Sequence, residues 1–79
     1  MKFWELENPT QYFSDEGYGW AVMTKLDSSF YLTNDGRGVI HVVDALYDCS
    51  DLYFKSEFEA HMAACKYYLD NGVPQYPYA

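Results

Sequence analysis

Residues 30–43, with the sequence FYLTNDGRGVIHVV, contain the stretch that decides the fold. Asp35-Gly36 lies near its centre and supplies the positive φ that a hairpin turn requires. Two runs rich in β-branched and aromatic residues, 30–33 and 39–43, flank the turn residues 34–38. The pattern predicts two antiparallel strands joined by a tight turn.

The segments upstream of this hairpin predict its neighbouring strands. Residues 20–26 alternate, so the side chains at positions 20, 22, 24 and 26 share one face of an extended chain. Residues 1–7 (MKFWELE) predict a short edge strand that ends at the turn signal Asn8-Pro9. The polar, glycine-containing residues 14–19 predict a loop. Together these segments predict three or four consecutive antiparallel strands.

A helix is predicted over residues 56–70. Ser56 and Glu59 have the spacing of a capping box, in which the serine side chain accepts from the Glu59 amide. Gly72 suits the left-handed position that ends a helix, and Pro74 blocks its continuation. Residues 44–54 (DALYDCSDLYF) show no clear period, and a helical turn within them is left open.

The apolar stripe of this helix predicts which face meets the sheet. Phe58, Met62, Cys65 and Leu69 follow at steps of four, three and four residues. We therefore expect this stripe to be buried. The sheet residues expected to meet it are Trp20, Val22, Leu26, Phe30, Leu32, Ile40 and Val42.

The predicted fold class is α+β, with a three- to four-stranded antiparallel sheet and one C-terminal helix packed on one face. Seventy-nine residues provide for a single domain, 1–79, which ends in an extended tail over residues 73–79. A sheet that is covered on one side leaves its other face open to water.

The charge balance limits the classes of partner. Five Lys and Arg residues against twelve Asp and Glu give a formal net charge of −7, which argues against nucleic acid and anionic membranes as direct partners. It favours a protein with a basic surface, although acidity also keeps an aromatic-rich chain soluble. No signal peptide or spanning segment is visible in the sequence, so we expect a cytoplasmic protein.

The residues suited to catalysis or metal binding are few. His41, Cys49, His61 and Cys65 are the only soft ligands. His61 and Cys65 lie four residues apart on the helix and share a face, which is a usable zinc geometry, but neither cysteine belongs to a C-x₂-C pair. Cys65 falls on the apolar stripe and is expected to be a buried thiol, while Asp48 and Asp51 flank Cys49 and disfavour its thiolate. We expect no metal, no cofactor and no enzyme activity.

Acidic and aromatic residues form the predicted partner-binding site. Carboxylates accept bidentate hydrogen bonds from arginine, and aromatic rings stack on guanidinium groups. The alternative is that the aspartates only solvate a loop while Tyr47 and Tyr53 belong partly to the core. The candidate residues are Asp44, Tyr47, Asp48, Asp51, Tyr53 and Tyr67.

In size, acidic balance, intracellular start and sheet-plus-helix layout, the chain resembles the small anti-CRISPR and anti-restriction inhibitors of phages and mobile elements. The likeness covers the whole chain in general character, and no sequence motif or functional residue is carried over by it. It implies a stoichiometric inhibitor that occupies a basic nucleic-acid-binding surface of a host defence complex, in the host cytoplasm if the protein is phage-encoded. The chain would act as a monomer or homodimer.

A second hypothesis comes from a different class of protein. The chain would then be a small structural or assembly subunit that forms a homo-oligomer through its open sheet face or an edge strand. Ionic strength separates the two, because an acidic inhibitor on a basic site loses association rate as salt rises, whereas an apolar interface does not.

Overall fold

The fold of residues 3–14, 17–74 and 76 is described by a computed structural model. The element order is β1 (Thr10–Ser14), β2 (Gly17–Ala21), β3 (Phe30–Leu32), β4 (Val39–His41) and α1 (Glu57–Asp70). Two short 3₁₀ helices, Val42–Asp44 and Ser50–Leu52, lie between β4 and α1. The α+β class and the single C-terminal helix predicted from the sequence are confirmed.

The hairpin predicted at residues 30–43 is present, with shorter strands than expected. β3 and β4 pair antiparallel, with Phe30 opposite His41 and Leu32 opposite Val39. Gly36 and Gly38 both have positive φ in the turn, at 89° and 82°. The chain leaves the sheet after His41 and begins a 3₁₀ helix at Val42, so the prediction of a strand over 42–43 is wrong.

The strands form two two-stranded sheets and not one continuous sheet. β1 pairs antiparallel with β2. The prediction of a loop over residues 14–19 is therefore wrong for Ser14 and for residues 17–19. Residues 15–16 lie outside the described part of the chain. Gly19 lets another segment approach β2 closely, because a Cβ built there would lie 3.1 Å from the Tyr53 side chain.

The extended segment 22–25 connects the two sheets. The Leu32 amide donates to the Val22 carbonyl at 2.9 Å, and the Lys25 amide donates to the Glu5 carbonyl at 2.9 Å. Of the predicted edge strand, only Leu6 forms an isolated bridge, opposite Thr24, and residues 1–2 lie outside the description. The alternating segment therefore has partners on both sides without forming a long regular ladder.

Tyrosine hydroxyls also hold the N-terminal segment, in addition to its backbone contacts with segment 22–25. The Leu6 amide donates to the Tyr68 hydroxyl at 2.9 Å, and the Tyr76 hydroxyl donates to the Glu7 carbonyl. Both tyrosines are buried, so Tyr76 of the predicted extended tail packs back on the core; residues 75 and 77–79 are outside the description. Part of the tyrosine content therefore serves the fold, because a buried backbone group needs a hydrogen-bond partner.

The helix begins and ends at the predicted signals. The Glu59 amide donates to Ser56 Oγ at 3.1 Å, and the Glu59 carboxylate accepts from the Lys55 amide at 3.1 Å. At the C-terminal end Gly72 has φ 78°, the left-handed conformation that glycine adopts without a steric penalty. Capping depends on a few adjacent residues, which is why these bounds could be predicted.

The helix packs its alanine face, and not its large apolar residues, against the core. Ala60 and Ala64 are fully buried beside Tyr68, in one cluster with the buried side chains Leu6, Val22, Leu32, Phe54 and Tyr76. Phe58, Met62 and Leu69 of the predicted stripe are between 51% and 71% exposed, and Cys65 is half-buried. The predicted inward face is therefore wrong. Alanine allows the helix backbone to approach the strands closely, which fits a core built from few large side chains.

Two residues of the predicted sheet face also lie outside the core. Leu26 is largely exposed in the turn after segment 22–25, and Val42 is exposed at the start of the first 3₁₀ helix. Trp20, Phe30 and Ile40 are half-buried, whereas Val22 and Leu32 are fully enclosed. The alternation predicted an extended chain, but β2 ends at Ala21 and the chain turns away at Leu26.

Candidate protein-binding site

The acidic loop, defined here as residues 42–48, follows β4 and carries three of the six predicted site residues. Asp44, Tyr47 and Asp48 are all exposed on it. The same loop carries two further exposed apolar side chains, Val43 and Leu46. The loop therefore presents carboxylates and apolar groups together on a short piece of chain.

The start of the acidic loop is fixed to the β3–β4 hairpin. The Val42 amide donates to the Ser29 carbonyl at 2.8 Å, and the Val43 amide donates to His41 Nδ1 at 3.1 Å. The His41 ring packs edge-on against Phe30, with ring centroids 4.9 Å apart. These contacts hold the first 3₁₀ helix, so the exposed side chains that follow have a defined position.

Asp51 anchors the loop from beneath. Its carboxylate accepts from the Leu46 amide at 3.2 Å and is hydrogen-bonded to the Arg37 guanidinium. The Asp51 side chain is only 2% exposed, whereas Arg37 is partly exposed. The hydrogen bond to Asp51 raises the pKa of Arg37 above its ordinary value. Asp51 was predicted as a surface contact, and its burial gives it a structural role instead.

The end of the loop is also constrained. Asp48 Oδ1 accepts from the Ser50 amide at 3.0 Å, and this hydrogen bond from the Ser50 backbone lowers the pKa of Asp48. Asp48 is therefore charged at neutral pH. Cys49 follows in the left-handed region at φ 57°, the positive φ of a non-glycine residue that marks local strain. Such strain persists only where surrounding contacts fix the backbone.

The two remaining predicted tyrosines belong to other parts of the surface. Tyr53 is half-buried and stacks on Tyr12, with ring centroids 4.7 Å apart. Burial, followed by hydrogen bonding with Tyr12, raises the pKa of Tyr53. Tyr67 stacks on Phe3, and its hydroxyl accepts from the Trp4 amide at 3.1 Å. Both rings make contacts that hold the fold, which corresponds to the structural alternative stated for Tyr53.

The structure thus brings together half of the predicted site and adds residues that sequence reasoning missed. Val43 and Leu46 were missed because apolar residues next to a predicted strand were assigned to the β-rich run or left without a role. The only sequence signal was that residues 42–47 follow neither a period of two nor one of 3.6. The pairing of Arg37 with Asp51 had no local signal, since fourteen residues separate them.

The described residues contain no group of metal ligands within one chain. No three His, Cys, Asp or Glu residues of the described chain come together to hold a metal ion. A cleft of about 310 Å³ between α1 and the β3–β4 turn is lined mainly by apolar atoms, and its charged residues Lys66 and Asp70 pair with each other at 2.7 Å. Two further surface clefts have volumes of about 570 and 370 Å³.

Comparisons with known proteins place no family on this chain. No protein-family model, curated protein or solved structure matches it. Across the described residues, no helix combines the length and apolar character needed to cross a membrane. The function is therefore argued from the acidic loop.

Proposed function

We propose that the chain is a non-catalytic protein-binding module whose acidic loop docks on a protein surface rich in lysine and arginine. The observation that carries this proposal is the exposure of Val43, Leu46 and Tyr47 next to the exposed carboxylates Asp44 and Asp48, on a backbone held in place by Asp51. An exposed apolar group on a surface loop has no role in the core, whereas it suits the centre of an interface.

Tyr47 is the natural anchor of this surface. Its side chain is as exposed as in an extended chain, at 106% of the reference value. Tyrosine is enriched among the few residues that dominate binding energy, because its large ring has little rotamer entropy to lose. The hydrogen bonds that fix the loop backbone reduce the ordering that binding would otherwise require.

The charges define the chemistry of the partner. Asp44 and Asp48 accept hydrogen bonds from lysine or arginine, and the net charge of −7 steers the chain towards a basic surface. Basic protein surfaces commonly bind nucleic acid, so an acidic protein that occupies one excludes the nucleic acid. We propose that the chain acts in this way, as a stoichiometric inhibitor of a host defence complex in the cytoplasm, consistent with its resemblance to anti-CRISPR and anti-restriction inhibitors.

The experiment that tests the proposal is a pull-down with the tagged chain from bacterial lysate, washed at low and moderate salt, with bound proteins identified by mass spectrometry. We expect a basic nucleic-acid-binding protein that is released by rising salt and displaced by added DNA or RNA. Binding that is equally strong at both salt concentrations would contradict the electrostatic part of the proposal.

Matched variants assign the binding to the loop. The double variant Asp44→Asn/Asp48→Asn removes two charges but keeps side-chain oxygens that can accept from the Ser50 amide. The control Glu5→Gln/Glu7→Gln removes the same charge from two exposed residues elsewhere. Only the loop variant should lose the partner, and equal losses would show that net charge and not the loop matters.

The aromatic anchor has its own control. Tyr47→Ala should abolish capture, whereas Leu26→Ala, which truncates another highly exposed apolar residue, should leave capture unchanged. Retention of the partner by Tyr47→Ala would remove the loop from the proposed interface. The assembly hypothesis, a homo-oligomer through the sheet face or an edge strand, stays a prediction that the mass of the purified chain in solution tests.

A further inference from the structure

One edge of α1 carries a thiol–imidazole pair that the proposed function does not use. Cys65 Sγ lies 3.6 Å from His61 Nε2, one helical turn away. Both residues are half-buried, at the border between the buried alanine face and the solvent. Cys65, expected from the sequence to be a buried thiol, is therefore only half-buried.

The separation of these two atoms suits a shared zinc ion. Zinc binds cysteine sulfur at about 2.3 Å and histidine nitrogen at about 2.0–2.1 Å, in tetrahedral geometry. Two such bonds at the tetrahedral angle place sulfur and nitrogen about 3.5–3.6 Å apart. The observed distance of 3.6 Å between Cys65 Sγ and His61 Nε2 matches this separation.

The described residues of one copy offer half of a zinc site. Structural zinc is almost always bound by four protein ligands. No described His, Cys, Asp or Glu joins His61 and Cys65 to make a group of three. The two missing ligands therefore have to come from another molecule, and a second copy of the same chain supplies an identical pair.

The surface beside the pair is suited to a second copy. Phe58, Met62 and Leu69 line the adjacent, exposed face of α1. The surface area of three side chains falls well short of the roughly 800 Å² per partner that a stable interface buries. Apolar contact alone therefore does not predict a lasting dimer. A metal bound by both copies would supply the missing affinity, since metal coordination contributes directly to the stability of the assembled state.

We infer that α1 is a self-association face at which one zinc ion binds between two copies, through His61 and Cys65 of each. In an antiparallel, two-fold pairing each helix presents the same edge to the other, which brings the two ligand pairs to one side of the interface. The acidic first turns, with Glu57 and Glu59, then lie at opposite ends of the pair. On binding, each thiol releases its proton to solvent and each imidazole binds as the neutral base.

Cobalt(II) and zinc titrations of the purified, reduced chain test this inference. With cobalt we expect a thiolate-to-metal charge-transfer band that saturates at one metal per two chains. With zinc we expect the mass measured by light scattering to double, and chelation of the metal to restore the monomer. Absence of the band, or saturation at one metal per chain without a change of mass, would overturn the inference and leave the pair as a hydrogen bond.

The two cysteines provide a matched pair of variants. Cys65→Ser should abolish both the band and the zinc-dependent dimer, whereas Cys49→Ser should retain them, because Cys49 lies on the acidic loop side of the chain, between two 3₁₀ helices. Cys65→Ala serves as a second variant, and circular dichroism confirms that each variant is folded. Loss of the band in Cys49→Ser would assign the metal to a different site.

A helix-surface variant tests the apolar half of the interface. Met62→Glu places a like charge on each copy of an exposed position, so it should prevent the zinc-dependent dimer while the chain stays folded. A dimer that persists would show that the exposed stripe is not the contact. The result is independent of the proposed partner, because Tyr47→Ala leaves α1 untouched and should dimerise with zinc as the unmodified chain does.

Discussion

Replacement of Asp51 by alanine is the perturbation that best tests how the acidic loop is held. The variant removes a carboxylate whose side chain is 2% exposed and which bonds to the Leu46 amide and the Arg37 guanidinium. It leaves the loop's exposed residues in place. Any effect on the free energy of unfolding therefore reports the anchor and not the docking surface.

The magnitude follows from the two partners. A hydrogen bond to a charged group is worth about 1.5–3 kcal/mol, and breaking a fully buried ion pair costs about 3–5 kcal/mol. Arg37 is partly exposed and Leu46 lies near solvent, so water takes over part of both contacts. We therefore expect Asp51→Ala to cost about 2–3 kcal/mol, against a total stability of about 4–12 kcal/mol for a chain of this length.

The assay is urea unfolding followed by the fluorescence of Trp4 and Trp20. With a slope of about 1 kcal/mol per molar urea, typical of a small domain, the midpoint should fall by roughly 2–3 M. The urea midpoint of Asp51→Asn should fall by less, because the asparagine side-chain oxygen still accepts from the Leu46 amide. Asp44→Ala, an exposed aspartate of the same loop, serves as the control. If Asp51→Ala and Asp44→Ala have the same midpoint, the reasoning about the buried anchor is wrong.

Three further predictions test the core, the helix end and the half-buried phenol of Tyr53. Ala64→Leu should cost about 1–3 kcal/mol by overpacking, whereas Met62→Ala should leave the thermal midpoint nearly unchanged; the opposite order would restore the face predicted from sequence. Gly72→Ala should cost about 1–2 kcal/mol in urea unfolding, because φ 78° is strained for alanine, and no loss would mean that the helix ends differently. The pKa of Tyr53 is raised in the folded state, so the unfolded chain ionises first and stability should fall as pH rises above about 10. The stability of Tyr53→Phe should fall less over this pH range. Identical dependence of stability on pH in the variant and the unmodified chain would show that the pKa of Tyr53 is not raised.

The sequence by itself determined the features that depend on neighbouring residues. Asp35-Gly36 specified the turn, Ser56 with Glu59 specified the start of the helix, and Gly72 specified its end. Each signal works through hydrogen bonds or φ preferences within a few residues, so no knowledge of the fold was needed. The sequence also showed that the segment with Asp44 and Asp48 is polar. It did not predict the backbone conformation of that segment.

Only the tertiary structure decided which surfaces are inside. Hydrophobic periodicity favoured Phe58, Met62 and Leu69 for the core, but close approach of the helix to the strands selected Ala60 and Ala64. Ranking by side-chain hydrophobicity cannot foresee this choice, because packing depends on the distance between elements as well as on transfer free energy.

The sequence alone also did not predict the long-range hydrogen bonds. Asp51 is buried because Arg37 reaches it from a turn fourteen residues away, and Tyr68 reaches the Leu6 amide across sixty-two residues. Taken alone, an aspartate in a polar segment or a tyrosine near the C-terminus indicates a surface position. Its burial is favourable only when a distant partner satisfies its polar atoms, and that partner is supplied by the folded chain.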